Sequence, residues 1–458
     1  MTTSAEAGRP VLVMVESNTT GTGRTFAVAA RARGLRPVLL STCPDRYPWV
    51  VEDDVDVARA DTTDAMSVAA VARAAAEDAG LGASRRPCRG DTPHPPGLAG
   101  LVTSSEYSVA VTARAAARLG LPGADPAAVE RCRDKRRQRL ALRVAGVAVP
   151  AFAAANSPEE AVEAATAIGF PVVVKPADGT GSRGVRLCCD PAEVLHHAAG
   201  LLAVRHDERG QPTIAAVLVE EHVIGPEVSV ETFGTEVVGI TAKHLGRLPS
   251  FVECGHDFPA DGPPVGAVAR AAIGALGLGF GPAHTEIRLG RRGPVVIEVN
   301  PRLAGGHIPT LVRLATGIDL VGATIDAAVL GGSRRLCRGD TPRPPGATAR
   351  PLPEPGPGHA SIRFLVPPRA GRVRRTAGVA AAAAVPGVVD VAIAVRAGQR
   401  VGGTGSFLDR VGHVITAGPT ATAARTAAET ALALLEIDLD ADDDVEATRP
   451  LPAPSAVA

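Results

Sequence analysis

The chain has 458 residues, enough for roughly two to four domains, and 45% of them are hydrophobic, which is typical of a globular protein. Its 48 Lys and Arg balance its 48 Asp and Glu, so its charge favours neither nucleic acid nor an anionic membrane surface as a partner. We expect no signal peptide and no membrane span, because no segment has the pattern of either. Seven cysteines without zinc-binding spacing indicate a reducing compartment, so we expect a cytoplasmic protein.

The first 124 residues alternate apolar strand patterns with alanine-rich helix patterns, which predicts a doubly wound α/β domain. Gly21 and Gly23 follow the first strand, but the third glycine and the acid of a dinucleotide site are missing, so a plain turn or a carboxylate-binding loop is favoured. Glu106 follows a strand predicted at 100–103, at the edge where open α/β sheets bind ligands. A solvated acid at a helix N-terminus is the alternative for Glu106.

A glycine-rich loop follows a strand that ends at Lys175. Capping boxes at 157–160 and 190–193 predict helices on both sides of it. Glycines let backbone amides approach phosphate oxygens, while Lys175 and Arg183 supply positive charge. It is not a Walker loop, because the lysine precedes the glycines and no helix follows; a merely flexible hairpin is the alternative. The candidate phosphate-binding residues are Lys175, Asp178, Gly179, Thr180, Gly181, Ser182, Arg183 and Gly184.

Residues 216–231 have the pattern of a strand, a kink at Gly225 and a second strand. Main-chain groups at such a kink are free to hydrogen-bond the edge of a base. Glu227, just after the kink, could bind a ribose diol.

A turn predicted at Gly290–Pro294 joins two short β-rich runs into a hairpin. With all five turn residues in the loop, Leu289 pairs with Val295 and Glu286 lies opposite Glu298. Two facing carboxylates repel each other, so this register needs an explanation.

A hard cation explains the pairing. Alternation places Asn300 on the same face as Glu298, so three oxygen-bearing side chains converge with Glu286. Mg²⁺ prefers oxygen ligands and is usually held by one or two carboxylates and substrate phosphates, so the hairpin predicts a phosphate-bearing partner. An amphipathic surface hairpin with solvated acids is the alternative.

Two segments, 84–97 and 333–346, are identical at twelve of fourteen positions and rich in Pro, Gly and Arg, so we expect exposed loops without an assigned function. After a Pro-rich linker at 342–358, strand and helix patterns predict a small α+β lobe with a helix near 375–385. The residues after 438, acidic and then Pro/Ala-rich, predict a disordered tail.

These motifs resemble those of the ATP-grasp superfamily of ADP-forming carboxylate–amine ligases. The segments that carry the resemblance are RDKRRQR with Lys135, VVVKPADGTGSRGV, LVEEHVIGPEVSVE and HTEIRL…VVIEVNPR. Three further segments, SFVECGHDFPA, SIRFLVPP and SFLDRVGHVI, are similar to the L-amino acid ligases that make dipeptides.

The resemblance spans roughly residues 11–435 and implies a multidomain α/β and α+β protein with the ATP-grasp fold. The implied parts are a Rossmann-like domain at 1–124, an ATP-grasp lid at 125–205, a catalytic subdomain at 206–341, the linker at 342–358, a C-terminal lobe at 359–438 and a tail at 439–458.

The resemblance also implies ATP and Mg²⁺ as cofactors, with two ions that Mn²⁺ can replace. ATP would lie between two antiparallel sheets. The implied contacts are Lys135, Lys175 and the glycine loop to phosphates, the backbone of Glu220, Glu221 and Val223 to adenine, Glu227 to ribose, and Glu286, Glu298 and Asn300 to the metal.

In such ligases a carboxylate is phosphorylated and an amine then displaces phosphate. Catalysis would be carried by Lys175 and Arg302, with His256 as the base for the incoming ammonium. A structural ion pair is the alternative for Arg302, and a packed or surface histidine for His256. We further expect Glu106, Glu253, His256, Arg302, Gly305 and Gly306 to contact substrate, the two glycines leaving room for an acyl substrate larger than alanine.

The expected partners are a small carboxylate and an amine, most simply two amino acids, with no nucleic acid and no membrane; a homodimer is left open. Three alternatives remain: an ATP-grasp ligase or carboxylase with a non-peptide product, a non-catalytic nucleotide-binding protein, and an oxidoreductase that uses the Gly21 turn.

Overall fold

The computed structural model describes residues 8–18, 23–77, 95–260, 265–331 and 358–440. Its N-terminal elements are β1 (Val11–Val15), α1 (Gly23–Ala32), β2 (Arg36–Ser41), α2 (Trp49–Glu52), β3 (Asp56–Arg59), α3 (Ala65–Glu77), β4 (Leu98–Val102) and α4 (Val109–Arg118). The four strands are parallel in the order β3-β2-β1-β4. Every residue of β1 and β2 is buried, as expected for a parallel sheet covered on both faces. The predicted α/β domain is therefore present.

Two helices follow, α5 (Pro126–Arg133) and α6 (Lys135–Val144), which share a hydrophobic core with Val228, Ala269 and Val296 of the later part of the chain and so do not pack in the lid. The lid consists of β5 (Phe152–Ala155), α7 (Pro158–Ile168), β6 (Val172–Pro176), β7 (Arg186–Cys188), α8 (Pro191–Ala203) and β8 (Val217–Glu221). The predicted caps form: the Ser157 and Asp190 side chains accept hydrogen bonds from the third helical residue of α7 and α8. The antiparallel lid sheet has the order β5-β8-β6-β7. Because β8 lies inside this sheet, the lid boundary predicted at 205 falls too early.

The remaining elements are β9 (Glu227–Phe233), β10 (Glu236–Leu245), β11 (Glu253–Phe258), α9 (Gly266–Leu276), β12 (Pro282–Gly290), β13 (Gly293–Asn300), α10 (Ile308–Thr316), α11 (Leu320–Leu330), β14 (His359–Leu365), β15 (Gly371–Ala377), α12 (Val379–Ala383), β16 (Val388–Ile393), β17 (Arg400–Val401), β18 (Gly412–Gly418), α13 (Ala421–Leu432) and β19 (Glu436–Leu439). A large antiparallel sheet has the order β13-β12-β9-β10-β11-β14-β18-β16. A small sheet has the order β17-β15-β19.

The C-terminal lobe departs from the prediction in two ways. Strands β14, β18 and β16 continue the large sheet through the β11–β14 pairing, so the lobe is not separate from the catalytic subdomain. The helix predicted near 375–385 is instead the end of β15 followed by the short α12. The alanine run favoured helix, but Val373 is buried between exposed arginines, which is the alternation of a strand.

One hydrophobic core joins the N-terminal domain to the catalytic subdomain and the lobe. It packs Phe26 of α1 against Leu311 of α10, Ile325 of α11 and Ile362 of β14. Arg33 also donates to Asp326 at 2.8 Å across this interface. The lid has its own core of Val and Ala side chains, which agrees with the low aromatic content of the sequence. The lid is thus a separately packed layer over a continuous base.

No helix among the described residues is long and apolar enough to cross a membrane. Several sequence predictions lie outside the described residues: those for Gly21, for the near-identical segments except positions 95–97, for residues 342–357 of the linker and for the tail from 441.

Candidate active site

A cavity of about 250 Å³ lies between the lid sheet and the large sheet. The N-terminal domain contributes residues 104–107 to its wall, and the C-terminal lobe contributes Phe407 and Arg410. Most of the residues predicted for the site line this cavity: Glu106, Lys135, Lys175, Asp178, Gly179, Thr180, Gly181, Ser182, Arg183, Glu220, Glu221, Val223, Glu227, Glu253, Glu286, Glu298, Asn300, Arg302, Gly305 and Gly306. The two predicted residues that do not are Gly184 and His256.

The hairpin places Glu286 directly opposite Glu298, as predicted, but by a different register. Gly290 pairs with Gly293, so the turn is tighter than the predicted five residues, and Leu289 pairs with Pro294. A β-bulge at Ile297 then adds one residue to β13 and shifts the pairing back. The bulge therefore brings the two carboxylates together.

Both cations that face Glu286 are buried. Lys243 Nζ lies 2.7 Å from Glu286 Oε1, and His284 Nε2 lies 3.2 Å from the same oxygen. Burial alone would raise the pKa of Glu286, but Lys243 and His284 lower it below its ordinary value. Burial would likewise lower the pKa of His284, yet Glu231, at 2.8 Å, and Glu286 raise it to about 9. Glu286 is thus ionised at neutral pH, as a metal-binding carboxylate must be.

The donor set at the hairpin fits Mg²⁺. Glu286 and Glu298 supply carboxylate oxygens, and the buried Asn300 supplies an amide oxygen from the same strand as Glu298. Within the described residues no group of three or more His, Cys, Asp or Glu side chains is arranged to hold a metal. A set of two carboxylates and one amide leaves the remaining coordination positions to phosphate oxygens and water.

Lys175 and Lys135, the lysines predicted to bind phosphates, both line the cavity. Lys175 Nζ lies 2.6 Å from Glu220, whose other oxygen accepts from Arg139 at 2.7 Å. Burial lowers the pKa of Lys175 although Glu220 opposes the shift. Lys135 Nζ donates to the Gly179 carbonyl at 3.0 Å and lies 3.3 Å from Glu298, so it joins the glycine loop to the metal-binding strand.

The glycine loop, residues 179–184, has four left-handed positions, three of them glycines and the fourth Ser182. Asp178 anchors its start by accepting from the Ile214 amide at 2.9 Å. Arg183 forms an ion pair with Glu208 of the lid. Gly184 does not line the cavity, because it packs on Leu201 of α8, where a Cβ would collide. Gly184 therefore shapes the loop and lies outside the cavity wall.

The kink before β9 presents Glu227 to the cavity. Glu227 lies 3.0 Å from Arg288 and 2.8 Å from Lys243, which hold the carboxylate in place. Arg288 also donates to the Val223 carbonyl at 3.0 Å and lies over the Phe251 ring. The carbonyl of Val223 is thus occupied within the protein, while Glu220, Glu221 and Val223 line the predicted adenine side.

Glu106 does not offer a free carboxylate to a substrate. It accepts from Arg133 at 2.6 Å and from Arg302 Nε, which lies 196 residues along the chain. Burial would raise the pKa of Glu106, but Arg302 and Arg133 lower it to about 2. The prediction that Glu106 binds a substrate amino group is therefore replaced by a positioning role, in which it orients Arg302.

His256 is fully buried and does not line the cavity, so its predicted role as base is wrong for this arrangement. A bulge at Cys254 turns His256 to the same face as Glu253, and the two side chains lie 3.3 Å apart. The Gly306 carbonyl, 3.2 Å from Nδ1, and the Phe364 ring cover the imidazole. His256 supports Glu253 from behind.

Glu253 itself faces the cavity among three cationic or polar partners. Lys243 lies 2.8 Å from one oxygen and Arg410 3.0 Å from the other, with His256 behind them. Burial would raise the pKa of Glu253, but Lys243 keeps it well below its ordinary value. Both oxygens of Glu253 are paired within the protein, as those of Glu106 are, but 20% of the Glu253 side chain is exposed against 5% for Glu106, and its contact with a substrate stays a prediction.

The two glycines after Arg302 differ. A Cβ on Gly305 would meet no atom within 4 Å, which agrees with the predicted open space at the acyl site. Gly306 has a φ of +58° and a Cβ there would collide with His256. Gly306 is therefore required by the fold.

Sequence reasoning missed several residues of the cavity wall and its support. Lys243 contacts three predicted ligands, yet a single lysine in an alternating strand gives no signal of this. Arg139 and Lys135 are four residues apart on α6, so their helical spacing could have been used. The missed polar, charged and aromatic wall residues are Asn18, Ser104, Ser105, Tyr107, Arg209, His222, Lys243, Phe251, His284, Arg288, Phe407 and Arg410.

Comparisons with known proteins agree with this architecture. A model of the ATP-grasp domain matches residues 168–310, and a model of the L-amino acid ligase C-terminal domain 2 matches residues 363–440. An uncharacterised Sinorhizobium fredii protein, y4rH, is 36% identical over 93% of this chain and 82% of its own length. The crystal structure of an L-amino acid ligase from Bacillus licheniformis has a TM-score of 0.72 at 21% identity and covers 94% of this chain and 100% of that chain.

Two curated relatives have ligase or synthase names but match only in part. Carnosine synthase 1 of Gallus gallus is 32% identical over 47% of this chain, which spans 26% of that protein. Alanine–anticapsin ligase of Bacillus amyloliquefaciens is 28% identical over 52% of this chain, which spans 56% of that protein.

The fold, the paired carboxylates and the glycine loop over a shared cavity define an ATP-grasp enzyme, and the chain belongs to this superfamily of ADP-forming ligases. Within it, the chain is most like the L-amino acid ligases, because a model of their C-terminal domain 2 matches residues 363–440.

Proposed function

We propose that this protein joins the carboxylate of one amino acid to the amine of another, with ATP converted to ADP and phosphate. The observation that carries the proposal is the pairing of Glu286 with Glu298 in one cavity with Lys175, the glycine loop and Arg302. The names of the partial relatives, carnosine synthase and alanine–anticapsin ligase, support amino acids as the substrate class.

The lid residues act on the phosphates. Lys135 and Lys175 place positive charge beside the glycine loop in the same cavity, and backbone amides of the loop can donate to phosphate oxygens. Glu227 is positioned for the ribose and the strand before the kink for adenine. This arrangement contributes mainly orientation and charge stabilisation, which is how enzymes of phosphoryl transfer obtain most of their rate.

Glu286, Glu298 and Asn300 would hold Mg²⁺, and we propose two ions. When bound, the metal neutralises negative charge that develops on the transferred phosphoryl group. Lys243, which faces Glu286 and Glu227, adds a protein charge to the same region.

At the substrate end, Arg302 is the residue that can stabilise an oxyanion. Glu106 fixes its Nε, and the Leu303 carbonyl accepts from Nη1 at 2.8 Å, so the guanidinium plane is set before substrate enters. The ionised Glu253 can bind the amino group of the first amino acid. Attack by a neutral amine on the acyl phosphate then expels phosphate and forms the amide.

The test is ADP release from ATP·Mg²⁺ in the presence of single amino acids and of pairs, with product masses. ADP release and a condensed mass that need two amino acids support the proposal. Dependence on bicarbonate, or on one amino acid together with a different amine, would move the assignment to another ATP-grasp ligation. No ADP release under any condition would contradict it.

We also propose that the protein works in a reducing compartment such as the cytoplasm. All five cysteines among the described residues are free thiols, and Cys132 and Cys188 are buried. Intact activity in reducing buffer, and no gain on oxidation, is the expected result.

A further inference from the structure

A tight turn in the C-terminal lobe, residues 404–410, reaches the cavity and includes the start of the SFLDRVGHVI segment, to which the sequence alone assigns no role in the site. Phe407 and Arg410 both line the cavity, three residues apart. Phe407 contacts the glycine loop and Arg410 contacts Glu253, so the turn connects the loop proposed for phosphates with the residue proposed for the amino acid.

The turn is held by its own side chains. Asp409 is 6% exposed and accepts hydrogen bonds from the amide and hydroxyl of Thr404, at 3.1 and 2.8 Å, and from the Gly405 amide at 2.8 Å. Ser406 Oγ accepts from the Leu408 amide at 3.3 Å. These bonds fix the spacing between Phe407 and Arg410, so a shift of one is transmitted to the other.

Phe407 binds the glycine loop directly. Its amide donates to the Gly181 carbonyl at 3.1 Å, and its ring lies where a Cβ of residue 181 would be. Gly181 also has a φ of +65°, so both its conformation and its contact with the ring call for glycine. The lobe therefore contacts the loop directly at the cavity wall.

Arg410 binds the substrate end. Its Nη1 donates to Glu253 at 3.0 Å, and its guanidinium lies 4.5 Å from the centre of the Phe364 ring and 5.9 Å from that of Phe407. The stacking on two rings restricts Arg410 to one direction, which fixes the carboxylate that we propose for the amino group of the first amino acid.

We propose that the 404–410 turn couples occupation of the amino-acid end to closure of the glycine loop, with Phe407 and Arg410 as positioning residues. The proposal rests on the ligase function and gives the C-terminal lobe its role. Closure of the glycine loop excludes water from the cavity. An open loop admits water, which attacks the acyl carbon of the acyl phosphate and returns the free carboxylate and phosphate, so that ATP is converted to ADP without amide product.

The first experiment replaces Phe407 by Ala and measures ADP and amide product together, with the amino-acid pair identified in the substrate screen. We expect the ratio of ADP to product to rise about tenfold and the KM for ATP to rise, with the KM for the first amino acid less affected. Phe407→Leu, which retains an apolar side chain, should restore part of the coupling. Leu408→Ala is the matched control, because Leu408 is 53% exposed in the same turn and does not line the cavity.

Arg410→Met should affect the two KM values in the opposite way to Phe407→Ala. We expect the KM for the first amino acid to rise about tenfold and the KM for ATP to change less. Asp409→Asn, which removes no cavity residue but weakens the turn, should raise both KM values together. That pattern is not expected from a merely structural defect, which would lower the amount of active enzyme without changing either KM.

A readout independent of turnover is trypsin cleavage after Arg183 in the glycine loop, followed in ADP·Mg²⁺. Cleavage should be faster in Phe407→Ala than in the parent or in Leu408→Ala. If Phe407→Ala matches Leu408→Ala in coupling, KM and cleavage, the coupling role is wrong while the ligase function stands. If the parent enzyme makes no amide from any amino-acid pair but the cleavage difference is seen, the substrate assignment fails and the contact between lobe and loop stands.

Discussion

The end of the cavity that we propose for the nucleotide (the nucleotide end) and the end that we propose for the amino acid (the substrate end) are built differently. At the nucleotide end, the loop at 179–184, the kink before Glu227 and the hairpin with Glu286 and Glu298 are each continuous segments of chain. At the substrate end, Glu106, Glu253, Arg302 and Arg410 come from four distant segments and are held by ion pairs. The first end depends on local backbone geometry and the second on tertiary packing.

This difference separates two kinds of variant. Changes at the nucleotide end should lower turnover with every amino acid, because phosphate chemistry is common to all. Changes at the substrate end should alter the choice among amino acids, or the stability of the fold, because its side chains hold one another in place.

The largest effect is expected for Glu298→Gln. The amide keeps the shape of the side chain but removes the negative charge that would hold Mg²⁺, and the lost charge stabilisation corresponds to a fall in kcat of about a thousandfold. ADP release measured with several amino-acid pairs should fall by the same factor for each, while circular dichroism and Tm stay close to those of the parent.

Glu236→Gln is the matched control, because Glu236 is an exposed acid at the start of β10 in the same sheet. It should leave ADP release unchanged. A Glu298→Gln enzyme with full activity, or with loss confined to one amino acid, would contradict the metal assignment and with it the distinction between the two ends.

Lys243 connects the ends, and Lys243→Met should be the most destabilising single change. The side chain is 2% exposed and faces Glu227, Glu253 and Glu286 at 2.7–2.8 Å. Removing the cation leaves one buried carboxylate, Glu227, and two half-buried ones, Glu253 and Glu286, without it, at a cost of about 3–5 kcal/mol in the free energy of unfolding. Urea unfolding measures this.

Arg375→Met removes one partner of an exposed ion pair with Glu436 and should hardly change the same curve. Added Mg²⁺ should recover part of the stability lost in Lys243→Met, since the ion places charge beside Glu286. Equal unfolding curves for Lys243→Met and the parent would show that these ion pairs contribute little.

The contrast between the ends also explains what the sequence could predict. Lys175 and the paired glutamates follow from strand alternation, turn signals and glycine spacing, all of which act within about 20 residues, whereas Lys135 was implied only by the resemblance. Even there the register was derived with a five-residue turn, and only the bulge at Ile297, which leaves no sequence signal, compensated for the difference.

Ion pairs between distant segments leave no such pattern. Nothing near Glu106 indicates that Arg302 will neutralise it, and nothing near His256 indicates that Phe364 and Gly306 will cover it. Likewise, β8 reads as the start of the catalytic subdomain until its partners β5 and β6 are known. The predictions for Glu106 and His256 assumed that these side chains are open to the cavity. Distant segments cover or neutralise them instead, and the local sequence gives no sign of this.

The third prediction concerns pH and Glu106. Its folded pKa of about 2 lies below its ordinary 4.5, so its stabilising contribution is complete above pH 4.5 and is lost as the pH falls towards 2. The shift corresponds to about 3 kcal/mol in the free energy of unfolding. Glu106→Gln should therefore be less stable than the parent at pH 7, and the gap should narrow between pH 4.5 and pH 2.

Urea unfolding at closely spaced pH values tests this. Glu77→Gln, at the exposed end of α3, should run parallel to the parent throughout. A Glu106→Gln gap that stays constant with pH would show that Arg302 and Arg133 do not depend on the carboxylate charge.

The smallest effects separate the two neighbouring glycines. Gly305→Val adds a side chain into open space, so the fold should be unchanged, but kcat/KM for large first amino acids should fall about tenfold to a hundredfold while that for alanine changes little. Gly306→Ala should instead lower the free energy of unfolding by about 1–3 kcal/mol, because its φ of +58° is strained for alanine and its Cβ would meet His256.

The pair is informative because the two residues are adjacent and the two variants are read by different measurements. If Gly305→Val lowers activity equally for all amino acids, the open space beside Gly305 is part of the phosphate-binding region, and the nucleotide and substrate ends of the cavity overlap there. If Gly305→Val lowers activity only for large amino acids, Gly305 forms part of the wall of the acyl site, while the neighbouring Gly306 is required by the fold.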